Sequence, residues 1–114
     1  MTRVYVPTTL AGLAAYVRAG SVPSTTERFV PDEATEEAEY AALAEAAEAA
    51  AGLLDEPGRR VVLVADLADE DAAFAVDVIE AVHADTDEID PGDDPDDLPE
   101  LGWFATQEID DLLG

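Results

Sequence analysis

At 114 residues the chain has the length of one domain, and 28 Asp and Glu against five Arg and no Lys give a formal net charge of −23. With no Cys, a disulfide framework and a thiolate metal site are excluded. The charge repels phosphates and disfavours direct nucleic-acid binding, and no apolar run approaches the length of a membrane span.

Met1–Pro7 carries no apolar stretch of the signal-peptide kind, so the expectation is a soluble cytoplasmic protein. Like charge at this density opposes compaction. A molar-salt environment would screen it, because the Debye length there falls to about 3 Å. Mimicry of a nucleic acid, directed at a basic partner, is the other reading. The missing Lys favours salt: a mimic has no reason to lose Lys everywhere, whereas a salt-rich cytoplasm favours Asp, Glu and Arg over the long Lys stem. A disordered acidic chain is a third option, but 48% apolar residues with clear periodicity argue against it. At this charge density non-specific cations condense on the surface.

In chain order, Arg3–Val6 reads as a first strand stopped by Pro7. Thr8 or Thr9 can cap a helix whose Leu10, Leu13, Ala14 and Val17 share one face, with Gly20 as its stop. Residues 21–32 are loop-like, with a possible short edge strand at Arg28–Val30. Residues 33–55 form the clearest helix, with an expected buried stripe of Tyr40, Leu43, Ala44, Ala47, Ala51 and Leu54. Its like-charged neighbours Glu36–Glu39 and Glu45–Glu48 predict a helix that strengthens as salt rises. Arg60–Ala65 is continuously apolar after its first residue, as a central strand covered on both faces should be.

Residues 69–84 fit either a helix or a strand. Residues 85–100 hold nine acids and three prolines and read as a solvated, mobile loop. Leu101–Ala105 looks like a last strand, followed by a short helix over 106–113 capped by Thr106. The fold expected is α+β or α/β: one domain with a small mixed sheet of about four strands, two main helices and a short C-terminal helix. A helical crossover between the first and central strands makes that pair parallel.

The opening Arg3-Val4-Tyr5-Val6-Pro7-Thr8-Thr9-Leu10 and the closing Trp103-Phe104-Ala105-Thr106-Gln107-Glu108-Ile109 resemble the two ends of a family of small uncharacterised proteins best known from actinobacteria. Glu39–Leu43, Arg59–Asp66 and Ala81–His83 resemble internal anchors of that family. Beside that family the chain reads as a shortened, acidic, halophile-like form, with Thr8 where the family usually has Ala. The resemblance implies no catalytic residue, and it implies a strand over 79–84.

The candidate pocket or interface consists of Tyr5, Thr8, Trp103, Phe104, Thr106, Gln107 and Glu108. Adjacent Trp103 and Phe104 on a strand point to opposite faces, and a strand-to-helix turn gathers side chains and free N–H groups. Arg3, Arg59 and Arg60, if the two strands begin together, form a candidate anion contact; pairing of each with nearby carboxylates is the simpler reading. His83 is the only His. It could act as a base held by Asp85, though a structural role is the simpler reading, and with no second His or any Cys it makes no metal site. Asp85–Asp93 fails as a calcium loop, because Ile89 stands at position five and no Gly at position six. No cofactor is implied. The leading expectation is a non-enzymatic cytoplasmic module that binds a protein partner or self-associates. A small-molecule binder or enzyme using the Tyr5–Glu108 pocket comes second, and a nucleic-acid mimic third.

Overall fold

A computed structural model describes residues 1–94 and 97–114. In chain order it holds β1 (Thr2–Thr9), α1 (Leu10–Ala19), β2 (Ser21–Val22), α2 (Glu36–Gly52), β3 (Arg60–Leu67), β4 (Phe74–Ala75), β5 (Ile79–Ala84), β6 (Gly102–Ala105) and α3 (Ile109–Leu113). Single turns of 3-10 helix, Val76–Val78 and Thr106–Glu108, precede β5 and α3. Four strands form one sheet in the order β1-β3-β5-β6, and β2 pairs with β4 in a separate ladder.

The α+β class, the four-stranded sheet and the short last helix are as expected. The mixed sheet is not, since every ladder in it is antiparallel. The expected parallel pairing of the first and central strands takes the helical segments between them as a crossover. Both helices expected in that connection, α1 and α2, are present, but they pack on opposite faces and do not act as one crossover, so β3 runs antiparallel to β1.

β3 is apolar on both sides because both sides are covered. Val61, Leu63 and Ala65 join Val4, Val6 and Leu13 of α1 in the larger core. Val62 and Val64 join Tyr5 and the α2 residues Ala42 and Ala46 in the smaller one. At β1, Pro7 does not stop the strand; it sits inside the ladder opposite Val62. β1 is a sheet-edge strand, where a missing N–H is tolerated.

Local signals set the helix ends. Thr9 Oγ1 accepts the Gly12 N–H at 3.2 Å, and Gly20 closes α1 at φ 82°, a conformation that favours glycine. Thr35 caps α2 by accepting the Ala38 N–H at 3.2 Å, so the helix spans Glu36–Gly52 within the expected 33–55. Thr106 is not a cap: its hydroxyl donates to the Ile79 carbonyl at 2.7 Å and ties the last turn to β5.

The expected buried stripe of α2 is a correction with consequences. The helix buries Ala42, Ala46 and Ala50 instead, while Tyr40 stays 64% exposed. Small side chains at 42 and 46 let the helix approach the larger side chains of Tyr5, Val62 and Val64. The ambiguous segment becomes β4, one 3-10 turn and β5. Arg28–Val30 contributes one bridge, Phe29 to Tyr5. In the acidic segment, Ile89 is buried and exchanges two hydrogen bonds with Gly58, 2.8 and 3.0 Å, so the loop is pinned at that point. Pro95 and Asp96, within the stretch expected to be mobile, lie outside the described residues.

Candidate functional site

α2 packs over β1 and β3. Among the described residues no helix covers β5 and β6 on that face, which leaves a groove of about 540 Å³. From α2 come Tyr40, Leu43, Ala44, Ala47 and Ala51, most of the stripe that the sequence assigned to the core. The sheet supplies His83 and Trp103, which are cross-strand neighbours, and the segment before β6 supplies Leu98, Pro99 and Leu101. Trp103 is 62% exposed. Two aromatics bared on facing sides of one apolar groove are a feature that a scattered apolar surface does not show.

The polar groups of the groove are few. Burial pushes the His83 imidazole below its usual 6.5, so it is neutral at neutral pH. Glu48 and Glu100 line the groove as exposed carboxylates. Arg60 also borders it, but its charge is spent. Its Nε donates to Asp85 Oδ2 at 2.8 Å and its Nη2 to Asp85 Oδ1 at 2.6 Å. Nη2 also donates to the Pro99 carbonyl at 2.9 Å, which holds the groove's far wall in place. The groove therefore offers apolar surface, one neutral imidazole and net negative charge. The described lining pairs no nucleophile with a base.

The expected pocket and the expected arginine cluster both change. Tyr5 and Thr8 are on β1, and Trp103 and Phe104 are on β6, at opposite edges of the sheet. Three strand spacings separate them, about 14 Å, so no shared pocket forms. Tyr5 and Thr8 are buried. Burial, and the nearby Glu39 carboxylate, push the Tyr5 hydroxyl above its usual range. Phe104 packs against the larger core, Gln107 is exposed, and Glu108 lies near Arg59 and Asp111 around a separate surface hollow.

Arg3 sits opposite Asp66, and Thr9 opposite Arg60. Antiparallel pairing thus puts Arg3 and Arg60 at opposite ends of the sheet, about 20 Å apart along the strand. Arg3 is enclosed by carboxylates: Asp66 at 3.0 and 3.2 Å, and Glu39 and Glu80 at 3.4 Å each. The Arg3 guanidinium holds the Asp66 carboxyl below its usual range. A register shift opposite Val64 and Ala65 bulges Glu80 out of β5, beside Arg3. Arg59 has no ion pair among the described residues; although next to Arg60 in the chain, it borders a different hollow, with Glu108 and Asp111.

No hydrogen bond joins His83 to Asp85, whose oxygens serve Arg60. No metal-ligating cluster occurs among the described residues. None of the described helices is long and apolar enough to cross a membrane. Exposed acids stand on α2 (Glu36, Glu37, Glu45, Glu48), at 69–71, in the 87–94 loop and on α3, so they surround the sheet rather than form one face.

Sequence reasoning placed Trp103 among its candidates but missed the α2 wall. The signal was present: α2 carries two apolar stripes, and a helix packed on one sheet needs only one.

Comparison with curated proteins found no significant match, and comparison with solved structures found none. The sequence profile of a family of unknown function, DUF6912, matches residues 2–113. With nearly its whole length matched, the chain belongs to that family, whose function is unknown.

Proposed function

We propose that the chain is a non-enzymatic protein-interaction module of a high-salt cytoplasm, a halophile-like form of a family best known from actinobacteria, and that its working surface is the groove between α2 and β5–β6. One observation carries this reading: Tyr40 and Trp103, 64% and 62% exposed, flank a largely apolar groove on a chain whose surface is rich in acids. Bared aromatics are poor for solubility and good as interface anchors. The even spread of acids speaks for salt adaptation rather than for mimicry of a nucleic acid.

The test is capture from a native high-salt lysate with two baits, wild type and Tyr40→Ala/Trp103→Ala. Both side chains are mostly exposed, so each substitution should change stability by less than about 0.5 kcal/mol. The same partner retained by wild type should be lost by the double variant. Identical captured proteins would contradict the reading. A small apolar ligand in the same groove is the second reading, favoured by the groove's volume and by neutral His83 on its sheet side, beside the Trp103 indole.

A further inference from the structure

The groove has the breadth and chemistry of one missing helix. β5 and β6 together span about 10 Å, the diameter of one α-helix with its side chains. Packed helices stand about 8–10 Å apart, so a helix laid on β5–β6 would pack directly beside α2. The α2 stripe of Leu43, Ala44 and Ala47 is the ridge such a neighbour would meet. An extended segment added to the free edge of β6 would lie in the plane of the sheet. It would reach Trp103 and leave that ridge uncovered.

Charge selects among helices. Among the described residues the lining carboxylates Glu48 and Glu100 have no paired cation, since Arg60 belongs to Asp85. A second copy of this chain would bring another formal charge of −23 to the contact. We infer that the groove takes an amphipathic helix from a different protein, with Leu or aromatic anchors along one face and Arg or Lys at its flanks. This rests on the groove being the binding surface, and it names the class of partner.

The chain carries its own reporter, because Trp103 is its only Trp. The probe is a synthetic peptide of about 18 residues, five helical turns, with Leu at i, i+3, i+4 and i+7 and Arg at the flanks. Its controls are a scrambled peptide of the same composition and a version with Glu for Arg. The first peptide should shift Trp103 emission to the blue and become helical by circular dichroism. Glu48→Gln with Glu100→Gln should weaken it about fivefold at low salt. The scrambled and acidic peptides should bind far more weakly.

Equal binding of the scrambled peptide would reduce the effect to unspecific charge attraction and overturn the inference. So would a bound peptide that stays extended, or dimerisation of the chain through the groove. A neutral apolar dye, Nile red, separates the two levels. If the dye shifts Trp103 emission and no peptide does, the helical partner is wrong and the groove stands. If neither disturbs Trp103, the groove reading falls with it.

Discussion

Asp85 accepts three hydrogen bonds from one residue: the Arg60 backbone N–H, its Nε and its Nη2. Both members of the pair are buried, Asp85 to 1% exposure. Removing one partner from such a pair strands the other charge out of water. Asp85→Ala should therefore lower stability by about 3–5 kcal/mol in urea unfolding. Arg60→Met with Asp85→Leu should recover most of that loss, since an apolar pair of similar volume replaces a buried ionic one at little net cost. A loss below about 1 kcal/mol for Asp85→Ala would contradict a structural role for the pair. Arg60 was legible in the sequence as an unusual cation at the start of a strand. Its partner was not, because Asp85 arrives from the far end of β5, and only the pairing of β3 with β5 brings the two together.

Where β1 turns into α1, the hydroxyl of buried Thr8 occupies the space that a side chain at Gly12 would need. A Cβ on Gly12 would collide with Thr8 Oγ1. Gly12→Ala alone should cost about 1–3 kcal/mol by overpacking. In a Thr8→Ala background the same change should stabilise the helix, by up to about 1 kcal/mol. Thermal melts of the four proteins in this cycle measure the coupling, and additive effects would contradict it. Elements with local signals were read well from sequence: the Thr9 cap, the Gly20 stop and the doubly covered β3. Pairing direction was not, because the two predicted helices pack on opposite faces of the sheet instead of forming one crossover, and nothing local in the sequence says which face each takes. The buried face of α2 was misassigned for a related reason. Its alanines at 42, 46 and 50 are weaker apolar signals than Tyr40 and Leu43, yet close approach to the sheet rewards small side chains.

The charge belongs to the whole molecule. Exposed acids surround the sheet, and the described ion pairs of Arg3 and Arg60 neutralise few of them. Raising KCl from about 0.1 M to about 2 M shortens the Debye length from about 10 Å to below 3 Å and should raise the melting temperature. Equal melting temperatures would contradict adaptation to high salt. Once that charge is taken as background, the largely apolar groove beside α2 becomes the distinctive surface, with Tyr40 and Trp103 at its edges. The most direct measurement is chemical-shift mapping of the ¹⁵N-labelled chain in high salt, with the captured partner added. The account predicts changes confined to residues 40–51, His83 and 98–103, with the lone Trp103 indole N–H among the largest. An undisturbed indole, with the changes gathered instead along β1 and around Arg3, would contradict it.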